Sequence, residues 1–142
     1  MARYSTEELA EIGRVTVINS QYTPAKENDF DSIKGFAECN GPHCFVQFKW
    51  FTPKGDYRVG STDYENYSIV YSCSKLLGFY KVEFAWILGR VSDLSSVILS
   101  EALGILHTKV PTYDISRLYH TKQGVNGDCR YMSEQQIQDK YY

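Results

Sequence analysis

The stretch Asp56–Arg90, DYRVGSTDYENYSIVYSCSKLLGFYKVEFAWILGR, decides the fold. Three runs of β-branched and aromatic residues, Tyr57–Thr62, Tyr67–Cys73 and Tyr80–Leu88, are separated by short polar or glycine-bearing breaks. That is the pattern of consecutive antiparallel strands. In the third run Lys81, Glu83 and Ala85 alternate with Val82, Phe84, Trp86 and Leu88, so one face is polar and the other carries bulk. A sheet with such a face must bury it against something.

Working outward, the same period recurs. Arg14–Tyr22 sets Val15, Val17 and Asn19 against Thr16, Ile18 and Ser20, and Thr23–Asp29 is a loop marked by Pro24 and Asn28-Asp29. Phe30–Cys39 places Ile33, Gly35 and Ala37 on one side, with Lys34 and Glu38 on the other. Cys44–Phe51 opposes Val46, Phe48 and Trp50 to Gln47 and Lys49, and Thr52–Asp56 breaks the pattern with Pro53 and Gly55. From Ser92 the period changes: Leu94, Val97, Ile98, Ala102, Ile105 and Leu106 recur at helical spacing. A helix over 93–108 is predicted, capped by Ser92 or Asp93 and closed by Lys109 and Pro111. Ile115–Thr121 reads as a last short strand and Gly124–Asp128 as a turn. Arg130–Tyr142 reads as a loose or weakly helical polar tail. Alternation alone selects Val15, Val17, Asn19, Ile33, Phe48, Trp50, Val82, Phe84, Trp86 and Leu88 as inward-facing.

At 142 residues the chain is read as one domain with room for a sizeable core. The net charge of −2, with Lys and Arg scattered, argues against a nucleic-acid partner. No apolar run approaches the roughly 20 residues of a membrane-spanning helix, and the residues after Met1 are too polar for a signal peptide. The 12 Tyr, 7 Phe and 2 Trp suit a β core or the wall of an apolar pocket equally. Cys39 and Cys44 enclose the turn-forming tetrapeptide Asn-Gly-Pro-His, and a disulfide across that hairpin is preferred to free thiols or metal binding. His43 lies between the two cysteines, but the sequence has no second Cys-x-x-Cys or His pair, so no metal site is expected. His43, His107 and His120 form no recognisable triad with a nucleophile, and no phosphate loop or dinucleotide fingerprint is present. Neither an enzyme nor a cofactor is predicted.

Thr62-Asp63-Tyr64, Asn66-Tyr67, Val70-Tyr71-Ser72-Cys73, Phe84–Leu88 and Arg90 resemble, in order and spacing, the second and third signature regions of the lipocalins. Within that family they are most similar to the apolipoprotein D and bacterial lipocalin branch, over about Ala2–Cys129. The resemblance implies an antiparallel up-and-down β-barrel with one C-terminal helix packed outside (residues 1–129), followed by the polar tail 130–142. The family's Gly-x-Trp opening motif has no counterpart here. Ala2–Ser5 and Gly13–Ser20 instead resemble its second and third strands. An incomplete barrel lacking strand A, with two open edges, is therefore expected, from a truncated gene model or a shortened isoform. Asp63, Tyr64 and Arg90 match signature residues of structural role, and Arg90 is expected to lack the tryptophan it packs over in the family. Cys73 and Cys129 match cysteines that pair with an N-terminal region in this branch. Three arrangements stay open for them: free, paired with each other, or paired between chains. Asn66-Tyr67-Ser68 is a glycosylation sequon by pattern, read as a chance match inside a strand block.

By the same resemblance the function is non-enzymatic carriage of a small hydrophobic ligand, of the fatty-acid, sterol, retinoid or bilin class. The candidate ligand-binding residues are Tyr4, Val17, Asn19, Ile33, Phe48, Trp50, Phe84, Trp86 and Leu88. Tyr4, Asn19, Phe48 and Trp86 match pocket-lining positions of the branch, and the buried amide of Asn19 would seek a ligand oxygen, a neighbouring side chain or water. An isomerase using an inward thiol is disfavoured because Cys73 ends its strand. The alternative is a fragment that self-associates or pairs with another chain at its open edges. The family and its cysteines imply secretion.

Overall fold

A computed structural model of the chain describes residues 2–5, 14–22, 30–76, 78–121 and 134–141. Among the described residues there are seven strands: β1 (Ala2–Ser5), β2 (Arg14–Tyr22), β3 (Phe30–Asn40), β4 (His43–Gln47), β5 (Gly55–Thr62), β6 (Tyr67–Leu76) and β7 (Tyr80–Gly89). They follow one another in the sheet in chain order, the connectivity of an up-and-down antiparallel barrel. The described residues also form the α-helices α1 (Ser96–Lys109) and α2 (Glu134–Tyr141). Two compact units divide the chain. One comprises Met1–Cys39, Phe45–Lys54 and Lys122–Tyr142, the other Asn40–Cys44 and Gly55–Thr121.

In the first unit, Tyr4 pairs with Val17 and Val17 with Gly35, while Ala2 pairs with Asn19 and Asn19 with Ile33. Directly opposed residues share a face, so Tyr4, Val17, Asn19, Ile33 and Gly35 lie together. Gly35 is there because nothing larger fits. A Cβ at that position would stand 2.5 Å from the Gln47 carbonyl oxygen and 2.7 Å from the Phe48 ring. The opposite face carries Thr16 and Ile18, both buried. Lys140 of α2 donates to Ser32, a residue of that same face, and Ile137 of α2 is buried. Glu38 accepts from Lys54 and Arg14. The two bonds, Lys54's the stronger, hold its carboxyl below the usual range.

In the second unit, β6 is the centre of a three-strand meander. Tyr67 and Ile69 of β6 are buried against Ala102 and Leu106 of α1, with Tyr71, Ala85, Ile87 and Ile98 packed around them. The residues involved are the odd-numbered ones of β6 and β7, so α1 covers that face and leaves the even-numbered one. The helix begins where the Ser95 hydroxyl accepts from the Ile98 amide, three residues beyond Ser92 and two beyond Asp93, the capping positions expected from sequence. Val97, placed in the apolar stripe by periodicity, is exposed; Ala102 and Leu106 carry the contact.

Two further expectations are corrected. The strand beginning near Cys44 stops at Gln47 and does not reach Phe51. The Gln47 side chain donates to the carbonyls of Trp50 and Thr52, which closes the chain into a turn where alternation alone would continue the strand. Ile115–Thr121 is not a strand: Ile115–Arg117 forms a 3-10 turn, because Asp114 accepts from the Ser116 amide and hydroxyl. The expected loop at Thr23–Asp29, the turn at Gly124–Asp128 and Cys129 lie outside the described residues.

Candidate functional site: an aromatic row above a floor of small residues

The even-numbered face of β6 carries Ser68, Val70, Ser72 and Ser74, opposed in register by Leu88, Trp86, Phe84 and Val82 of β7. On the other side Val59 of β5 pairs with Val70, and Tyr57 belongs to the same face because its neighbour Arg58 pairs with Tyr71. Large side chains thus stand on β5 and β7, and small ones on the strand between. The rings exploit that difference. Tyr57 and Trp86 stack with centroids 6.4 Å apart and planes 24° apart, and Trp86 stacks on Phe84 at 5.7 Å and 15°. Strands two apart in a sheet are separated by about 9.5 Å, so Tyr57 and Trp86 must lean toward each other across β6. Val70, 0% exposed, and Ser72, 8% exposed, are buried beneath them although α1 lies on the far side. The upper surface of the row remains open, Trp86 at 39% and Phe84 at 52% exposure. A contiguous aromatic surface over a sealed floor is the material of a small-molecule site.

The other predicted ligand residues are distributed as follows. Leu88 lies on the same face, in line with Ser68. Tyr4, Val17, Asn19 and Ile33 share their face of the first unit; Val17 is buried, whereas Tyr4, Asn19 and Ile33 are exposed. Phe48 sits over Gly35, next in register to Val17, although it is no longer part of a strand. Trp50 is in the turn after β4 and is 88% exposed, so the inward position expected from alternation is not its position. Tyr57 was missed by sequence reasoning. Its signal was the spacing Tyr57, Val59, but the register shifts between Val59 and Ser61, and that bulge hides which residues share a face.

Beside the row, the β5–β6 turn shows what the signature residues do. One carboxylate oxygen of Asp63 accepts from the amides of Glu65, Asn66 and Tyr67, and the other accepts from the Asn66 side chain at 2.7 Å. The bond from the Tyr67 amide is the strongest of several that overcome burial and hold the Asp63 carboxyl down at about 2. Tyr64 takes a φ of 66°, the left-handed conformation the turn requires. Its carbonyl accepts from Arg90 Nε at 3.1 Å, so Arg90 has a partner within the turn itself. Asn66, the acceptor of the sequon pattern, is engaged by Asp63.

Cys39 and Cys44 are both disulfide-bonded, joined to each other across the Asn40–His43 turn. Within the second unit this hairpin end is fixed on β5. Pro42 O accepts from the Val59 amide at 2.8 Å, and His43 Nε2 lies 2.6 Å from Asp56 Oδ1. Burial pushes the Asp56 carboxyl up, but the bonds from His43 and Arg58 outweigh it and the net shift is downward. Cys73 is a free thiol facing Glu83 in register, near the Tyr71 hydroxyl that donates to Glu83. Burial, then the bonds to Glu83 and Cys73, push that phenol upward. Among the described residues no group of three His, Cys, Asp or Glu side chains is placed to hold a metal ion, and no helix is long and apolar enough to cross a membrane.

Residues 32–125 match the lipocalin / cytosolic fatty-acid binding protein family, about two thirds of the chain. The chain belongs to the lipocalin family. Its curated relatives place this lipocalin in the apolipoprotein D branch. It is 32% identical over 126 residues to apolipoprotein D of Macaca fascicularis, covering 86% of this chain and 63% of that protein. With apolipoprotein D of Bos taurus it shares 38% identity over 93 residues, 63% of this chain and 47% of the other. The lipocalin thus spans less than two thirds of the length of these relatives. Among solved structures, lobster apocrustacyanin A1 superposes with a TM-score of 0.71 at 19% identity, over 90% of this chain and 67% of that one. H1 crustacyanin of Homarus americanus gives the same score and identity over 66% of its length. At such identity the two crustacyanins speak for the fold alone.

Proposed function

We propose that this lipocalin is a non-enzymatic carrier of a small hydrophobic molecule, of the fatty-acid, sterol, retinoid or bilin class, seated on the Tyr57–Trp86–Phe84 row. The observation that carries this reading is the pairing of open, stacked aromatic rings with a buried floor of small β6 side chains. A ligand laid on the rings removes apolar surface from water at about 25 cal/mol per Å², less the ordering cost of binding. Ser68 and Leu88 flank the row and offer one hydroxyl and one apolar contact. Membership of the family supports carriage over catalysis, and the Cys39–Cys44 disulfide agrees with an extracellular setting.

The test is a fluorescence titration with retinol and with a fluorescent fatty acid, comparing the native chain with Trp86→Ala and running size-exclusion chromatography alongside. Saturable binding by a monomer, weakened about tenfold or more by the loss of the ring, is the expected result. Absence of binding together with dimers would overturn it and favour a chain that acts by pairing at its sheet edges.

A further inference from the structure

The floor of the aromatic row holds a hydroxyl that the fold does not use. Ser72 is 8% exposed. It stands opposite Phe84 on one side and, because Arg58 pairs with Tyr71, opposite Tyr57 on the other. Trp86 stacks on both of those rings, so Ser72 lies where the three converge. Its side chain makes no hydrogen bond to any described residue. Yet among the described residues every polar side-chain atom wholly withdrawn from solvent has a partner. The Ser72 oxygen therefore keeps an opening. That opening is on the face of the rings, which Ser72 shares, because α1 packs on the opposite face.

Small size alone does not account for a serine here. Trp86 and Tyr57 meet across β6 only above small residues, and alanine would serve that purpose with no polar atom to satisfy. Ser74, the next residue on the same face, is exposed and meets water. Ser72 is nearly buried, and a buried hydroxyl without a partner costs stability. A group of that kind points to a partner that comes from outside the chain.

Charge chooses the partner. The ionised side chains of this meander lie on the face toward α1: Arg58 pairs with Tyr71, Glu83 with Cys73 and Lys81 with Lys75, and Asp56 is bonded to Arg58. The face of the rings is without charge among the described residues of the three strands. A carboxylate brought beside Ser72 would leave water for a single hydroxyl, with no cation of these strands to compensate it. An alcohol or carbonyl oxygen needs only the one bond.

We propose that Ser72 is the polar subsite of the aromatic row. Its hydroxyl bonds an uncharged oxygen at one end of the ligand, that of an alcohol, aldehyde or ketone, and the site favours such ligands over carboxylates. The proposal rests on the carrier reading and narrows its ligand class.

Tryptophan quenching is followed at neutral pH on titration with retinol, retinal, retinoic acid and the hydrocarbon that lacks the oxygen. The four share one polyene, so differences among them report the end group. Retinol and retinal should bind about threefold or more tighter than the other two. Ser72→Ala should bring both down to the affinity of the hydrocarbon and leave the hydrocarbon unchanged. In the ligand-free chain the same substitution should not lower the urea midpoint, because no bond within the protein is lost. Equal weakening of all four ligands by Ser72→Ala, or a lowered midpoint, would make Ser72 a packing residue and overturn the proposal. Retinoic acid or the hydrocarbon bound by the native chain as tightly as retinol would also overturn it, and that comparison needs no variant. Loss of all four ligands in Trp86→Ala with no effect of Ser72→Ala would uphold the carrier reading and refute this subsite alone. No binding of any of the four by the native chain would overturn the carrier reading and the subsite with it.

Discussion

Asp63 shows how one side chain can specify a turn. Four hydrogen bonds converge on its carboxylate, and the left-handed Tyr64 beside it is held by Arg90 from the other direction. Because the folded carboxyl titrates at about 2 and the unfolded one near 3.8, its stabilisation is complete above the unfolded value. It is lost as pH falls through that window. Asp56 is shifted in the same direction and adds to the effect. Asp63→Ala should therefore lower the urea midpoint at neutral pH, and the gap to the native chain should close as pH falls from about 4 to about 2. Denaturation curves at three pH values across that range are the check; a gap independent of pH would mean the charge is not what acts. The residues of this turn were legible from sequence as a block through their resemblance to the family's signature region; the bonds that Asp63 and Thr62 make to nearby backbone supply the physical reason. Tyr57 was not, since its importance lies in a ring that reaches across a neighbouring strand.

At the level of elements, the alternation gave β2, β3, β5, β6 and β7 nearly to their ends, and the 3.6-residue period gave α1. The misses share one cause. Gln47 ends β4 and Asp114 starts the 3-10 turn by side-chain bonds to nearby backbone, which override a hydrophobic pattern that still reads as strand. The candidate row was half legible: Phe84, Trp86 and Leu88 follow from β7 alone. The partner on β5 depends on a register shift that sequence does not display. Packing between elements is equally specific at Gly35, where the chain after β4 crosses so closely that a methyl group has no space. Gly35→Ala should destabilise by about 1–3 kcal/mol through overpacking, despite the better strand propensity of alanine. A urea midpoint unchanged or raised by that substitution would show that Phe48 and the Gln47 carbonyl yield more readily than a packed backbone should.

For the molecule as a whole, folding and binding are linked. A ligand that binds the folded chain alone stabilises it by about 2.7 kcal/mol at a hundredfold excess over its dissociation constant. In a chain of 142 residues, that corresponds to a rise in melting temperature on the order of 5–10 °C. Differential scanning fluorimetry with retinol and with a fatty acid should show such a rise for the native chain and a smaller one for Trp86→Ala. Equal shifts in both would place the ligand away from the aromatic row. Family and topology were legible in the sequence because the signature blocks are local. How each face is clothed was less so, since that depends on pairs such as Tyr57 with Trp86 and Gly35 with Phe48 that are distant in the chain.

The hairpin end between Cys39 and Cys44 has a bearing on how the protein ages. Asn40 is followed by Gly41, and in such a pair the unhindered glycine nitrogen can attack the asparagine side-chain carbonyl, expel ammonia and leave an acid or a rearranged backbone. The reaction needs the chain to fold back on itself through a cyclic imide. Here Gly41 is committed to a φ of 59°, the disulfide closes the loop around it, and the next residue is tied to Val59. The same covalent bridge that shapes the turn thus narrows the backbone motion that this attack requires.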